Sequence, residues 1–100
     1  MDGDESLEAE MIAGFRAAAA KEADALRAAI AGLDRHAIRH TSHRMKGLAR
    51  LVAATQLAAV CDLLERHAHA GAVDDAARAF PEFEREWDRV CDYLNAATPS

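Results

Sequence analysis

His43, Lys46 and Gly47 are the residues in this sequence whose types and spacing suit chemistry. Offsets of three and four residues place them on one face of a helix. A histidine used for nucleophilic acid–base catalysis needs an orienting carboxylate and a partner hydroxyl or thiol. The nearest acids along the chain, Asp34 and Asp62, are poorly placed for that. What His43 has instead is a cation at i+3, a residue without a side chain at i+4, and a second cation, Arg50, at i+7. Lys46 suits offsetting the charge of a phosphoryl group held on the imidazole. Gly47 leaves room for the backbone of a partner, and glycine inside a helix is destabilising enough to want such a reason.

A helix must hold that face out, and the composition favours helices throughout. A quarter of the residues are alanine, while Gly (5) and Pro (2) are scarce. Alanine is the strongest helix former and β-branched residues are few. One hundred residues make one domain with one core. No apolar run is long enough to span a bilayer, and no basic-then-apolar leader opens the sequence, so a cytoplasmic setting is expected. Cys61 and Cys91 lack a C-x-x-C spacing and read as reduced cysteines packed in the core rather than a disulfide or metal pair.

The net charge of -5 argues against general nucleic-acid binding. Its distribution is uneven. Arg35, Arg39, Arg44, Lys46 and Arg50 fall between residues 35 and 61, where there is no acid, and the rest of the chain is acidic. A basic patch on an acidic domain suits one acidic protein partner.

The helical pattern begins at Ser6, a candidate N-cap. Leu7, Met11, Phe15, Ala19, Ala23, Leu26, Ile30 and Leu33 then form a core-facing stripe. Gly14 interrupts it, so this segment reads as one helix or two, leaving room for a short additional N-terminal helix. Gly32-Leu33-Asp34 closes it, with Asp34 as the next N-cap. In the second helix Ile38, Thr41, Met45, Leu48 and Val52 face inward, and His36, Arg39, His40, His43, Lys46, Gly47 and Arg50 face outward. Thr55 is the expected cap of the third helix, which buries Leu57, Val60, Cys61 and Leu64 and ends at Gly71. Asp74 or Asp75 is expected to cap the last, whose stripe is Phe80, Phe83, Trp87, Val90 or Cys91, and Leu94. Pro81 there marks either a kink or a true first turn, after a short turn at Asp75 to Phe80. Short connections between four amphipathic helices make an all-α, antiparallel up-down four-helix bundle over 6–96, with a flexible stretch at 1–5 and a tail at 97–100.

His43-Arg44-Met45-Lys46-Gly47, followed by Leu57, Cys61, Leu64 and Glu65, resembles the histidine-containing phosphotransfer (HPt) domain, whose pattern is H-x-[apolar]-K-G with leucine, cysteine and leucine-glutamate at these offsets. The lead-in A-A-I-A-G-L-D-R-H-A-I-R-H-T-S is similar too. The likeness covers Leu26 to Glu65 in detail and the flanking helices in pattern. The short core motif is weakly specific; the downstream register makes it strong. H-R-[apolar]-K-G-x-A-R is similar to HPt domains at the C-terminus of hybrid sensor kinases. Ala53 stands where that family usually has glycine, Leu48 where a small residue is usual, and Ser42 where alanine is common.

The resemblance implies a phosphorelay intermediate. His43 would accept a phosphoryl group from a receiver-domain aspartate and pass it to a response-regulator receiver, with Lys46 stabilising the charge. Gly47, Arg50, Arg39, His40 and Arg44 would form the docking face. The domain itself would need no cofactor; Mg²⁺ would sit on the receiver. It would be a monomeric phosphocarrier with no turnover of its own, free or linked to a kinase. The competing readings are an HPt-like module that binds a receiver without being phosphorylated, and the dimerising histidine domain of a sensor kinase. Against the latter, Arg-Met-Lys follows His43 in place of that family's acid and later proline. His36 with His40, and His67 with His69, have zinc-like spacing but no completing ligand, so no metal site is expected.

Overall fold

Alanine-rich amphipathic segments separated by two- and three-residue breaks leave the chain little choice but helices. The computed structural model describes residues 2–97, with side chains from 7 to 96. It comprises α1 (Asp2–Ala31), α2 (Arg35–Leu51), α3 (Thr55–His69) and α4 (Val73–Ala97). Consecutive helices pack side by side and α1 returns to pack on α4, which closes an up-down bundle 50 by 19 by 19 Å.

The core is layered from all four helices. Ala19, Ala23 and Leu26 of α1, Ile38, Met45 and Ala49 of α2, Leu57, Cys61 and Leu64 of α3, and Phe83 of α4 are all buried to within 1% exposure. Trp87 is buried beside them, and Phe80 stacks on Phe83 with ring centroids 5.3 Å apart. Each of the larger side chains contributes about 1.5–3 kcal/mol by leaving water. Alanine at 19, 23 and 49 lets the helices approach closely, which is why so alanine-rich a stripe still makes a core.

The turns follow the local chemistry with some departures. Asp34 caps α2, its side chain accepting from the Ala37 amide at 3.1 Å. Gly71 follows α3 at φ +79°, the left-handed position favoured by glycine. Arg35 reaches across to the same end of α3, where its Nε and Nη2 donate to the carbonyls of Ala68 (2.8 Å) and His69 (2.7 Å). Thr55, expected as a cap, is instead the first residue of α3. Its hydroxyl donates back to Ala53, and Ala54 holds the cap position with no side-chain bond. Ala53 itself adopts φ +56°, which accounts for the glycine usual at this turn. Asp74 and Asp75 lie within the first turn of α4 rather than ahead of it, and α4 passes through Pro81 with no preceding short turn.

Gly14 does not divide α1, so the optional extra helix is absent among the described residues. The expected cap Ser6 and residues 2–5 of the expected flexible stretch lie inside the bounds of α1, with side chains that are not described; residue 97 ends α4, and residues 1 and 98–100 lie outside the described residues. The N-terminal stripe is the larger correction. Leu7 (58%), Met11 (73%) and Leu33 (46%) are exposed, as is Val52 (37%) at the end of α2. A 30-residue helix spans about 45 Å at 1.5 Å per residue, whereas the 17 residues of α2 span about 26 Å. The start of α1 therefore overruns α2, and Leu7 and Met11 on that stretch stay exposed.

Candidate functional site

α2 turns Ile38, Thr41, Ser42, Met45 and Ala49 inward, so the residues between them must face out. Ser42 is buried without penalty because its hydroxyl donates to the Ile38 carbonyl one turn back. His43 follows directly and stands on the outer face, with its side chain 67% exposed. His36, Arg39 and His40 line a shallow cleft beside it.

The floor of that cleft comes from α3. Glu65 sets its Oε2 2.9 Å from His43 Nδ1 and its Oε1 2.6 Å from the Lys46 ammonium. Lys46 is only 12% exposed and also lies 3.2 Å from Asp62, which in turn pairs with Arg66 at 3.0 Å. Burial works to raise the Glu65 carboxyl, but its bonds to Lys46 and His43 outweigh that and hold it below the usual carboxylate range. The bond to Lys46 likewise lowers Asp62, and the bond to Glu65 raises Lys46. An ionised carboxylate only accepts, so Nδ1 carries the hydrogen and donates it. In the neutral ring the lone pair then falls on Nε2. The arrangement favours one tautomer of a ring that stands at an open surface.

Sequence reasoning overlooked Glu65 as the partner of the ring. Asp34 and Asp62, the nearest acids in sequence, are indeed not on the ring; the packing of α3 against α2 supplies the carboxylate. The available signal was Glu65's place in the register downstream of His43. Asp62 makes its contact with Lys46 rather than with the ring.

The other expected residues divide. Arg39 and His40 are exposed and border the His43 cleft. Gly47 is exposed, and a Cβ added there would meet nothing within 4 Å, so packing inside the chain does not require glycine. Arg50 is exposed but lines a separate hollow with Ala53, Thr55 and Asp62. Arg44 turns toward α1, where it pairs with Glu22 at 2.9 Å. Leu51, 80% exposed, was not anticipated. It continues the i, i+4, i+8 row of His43 and Gly47 and borders an apolar hollow with Met11, Phe15 and the half-buried Leu48.

Cys61 is buried, and burial pushes its thiol up to about 12 despite the nearby Lys46, which removes it as a nucleophile. Both cysteines are free thiols. Among the described residues no three His, Cys, Asp or Glu side chains gather as a metal cage, and no helix is long and apolar enough to cross a membrane.

A family model described as "Hpt domain" matches residues 10–93, most of the bundle. Comparisons with curated proteins and with solved structures give no match.

Proposed function

Because the chain belongs to the Hpt domain family, whose members act in phosphorelay histidine phosphotransfer and interact with receiver domains, we propose that His43 is its phosphoacceptor. One observation carries the reading: the Glu65 carboxylate lies on Nδ1 while Nε2 faces open surface. A receiver carrying an aspartyl phosphate, with its own carboxylates and Mg²⁺, docks over the face of α2. The Nε2 lone pair attacks phosphorus in line. The N–P bond forms as the P–O bond to the aspartate breaks, and the receiver recovers its carboxylate. The ring becomes a phosphoimidazolium that keeps its Nδ1 proton against Glu65, ready to pass the group to the aspartate of a second receiver.

Arg39 and His40 flank the incoming phosphoryl group with positive or polar groups. Gly47 admits the receiver's backbone, and Leu51 with Met11 extends the contact into apolar surface. Arg50 lies farther along the face, and Arg44 supports it by bracing α2 on α1. Lys46 stabilises the phosphoryl charge after exchanging a carboxylate for it. The module works as a cytoplasmic monomer with no cofactor of its own, either free or as the C-terminal domain of a hybrid sensor kinase.

Acetyl phosphate with a cognate receiver and Mg²⁺ is expected to label the domain in an acid-labile, alkali-stable bond. Normal labelling of His43→Gln would refute the site. The rival reading, receiver binding without phosphorylation, draws on the engagement of Lys46 by two carboxylates. Receiver binding with no label on any residue would favour it. The family match sets aside the dimerising kinase domain.

A further inference from the structure

Behind His43 the charges alternate without a gap. Arg66 lies 3.0 Å from Asp62, Asp62 lies 3.2 Å from Lys46, Lys46 lies 2.6 Å from Glu65, and Glu65 lies 2.9 Å from the ring. Residues 62, 65 and 66 share one side of α3, and 43 and 46 share one side of α2, so helix packing alone threads them into a line. The phosphotransfer reading uses only the last two links.

We propose that Asp62 is a positioning residue for His43, acting through Lys46: it shares the ammonium and so leaves Glu65 basic enough to keep the ring proton on Nδ1. A full positive charge held at 2.6 Å by Glu65 alone would draw the carboxylate's electrons away from the ring and weaken the hydrogen bond it accepts from Nδ1. Asp62 divides that attraction. Arg66 occupies Asp62 Oδ2 and leaves Oδ1 to Lys46. Among the described residues, the other charged or titratable groups that line the cleft with the ring are His36, Arg39 and His40, all from α2. The consequence for transfer rests on the phosphoacceptor reading: the tautomer with hydrogen on Nδ1 is the one whose Nε2 can attack.

The test reads the tautomer directly in the unphosphorylated, ¹⁵N-labelled domain, by long-range ¹H–¹⁵N spectra at a pH where the imidazole is neutral and at physiological salt. Asp62→Asn is nearly isosteric and half-exposed, and a thermal melt checks its folding. It is expected to lower the ratio of Nδ1–H to Nε2–H at His43 by about threefold, the scale of coupling between groups in one ion network. In a Lys46→Gln background the same substitution is expected to leave the ratio unchanged. No change in the otherwise native chain would overturn the proposal. So would an equal drop in both backgrounds, which would mean that Asp62 acts on the ring directly. No phosphoryl group takes part, so failure here leaves the His43 labelling experiment intact, and failure of labelling leaves this result intact.

Discussion

Glu65 sits 22 residues from His43 and one helix away, yet its carboxylate meets Nδ1 of the ring at 2.9 Å. That contact makes the site directional, because a ring held at Nδ1 can offer only Nε2 to a partner. Removing it should cost rate more than fold. Glu65→Ala is expected to slow phosphoryl transfer from a phosphorylated receiver by about 10- to 100-fold, the worth of one charge-assisted hydrogen bond. Rapid-quench transfer kinetics check it, and a rate within twofold of the native chain would remove Glu65 from the mechanism.

The Glu65 and Asp62 carboxyls are both held below their usual range, so they stay ionised in the folded chain at pH values where the unfolded chain has taken up protons. Their contribution is complete above the ordinary carboxylate values of about 4 and is lost as pH falls through the lower, folded-state values. Thermal melts between pH 3 and 7 should show a midpoint that climbs with pH through the acid end and then levels. Lys46→Gln removes the main cause and is expected to flatten that climb.

Two turns test backbone strain. Ala53 is at φ +56°, where a Cβ is unfavourable, so Ala53→Gly is expected to stabilise the domain by about 0.5–1 kcal/mol. Gly71 at φ +79° reverses the sign: a Cβ there meets open space, yet the conformation alone should make Gly71→Ala cost about 1 kcal/mol. Urea denaturation of the two variants gives both numbers.

Gly47 separates stability from docking. With nothing within 4 Å of an added Cβ, Gly47→Ala should stabilise α2 by about 0.8–1 kcal/mol through helix propensity. The same methyl group lies next to His43 on the docking face, so the KM for a phosphorylated receiver is expected to rise. Leu51→Glu, on the same row, should raise KM with little change in stability, since Leu51 is 80% exposed. Paired denaturation and transfer measurements distinguish the two effects.

Much of this molecule is written in local pattern. Alanine content and apolar spacing specify four helices, and Asp34 and Gly71 mark two of the boundaries as read. The outward face of α2 follows from the positions of Ile38, Met45 and Ala49, because a helix cannot bury one side without exposing the other. His43 and Gly47 therefore stand outward as read, whereas Lys46, also read as outward, is tucked against the carboxylates of α3 at 12% exposure.

Only tertiary structure decided what lies behind that face. Glu65 and Asp62 reach Lys46, and Glu65 reaches His43, because α3 packs on α2 at one particular rotation; no helical period links residues 43 and 65. Arg44 turns from the His43 face to Glu22 by the same kind of cross-helix choice. Met11 and Leu51 share an open apolar hollow because two helices of unequal length were aligned at their other ends. Periodicity reports which side of a helix is apolar; which neighbour that side meets, and how far along, is settled by the packing of the whole chain.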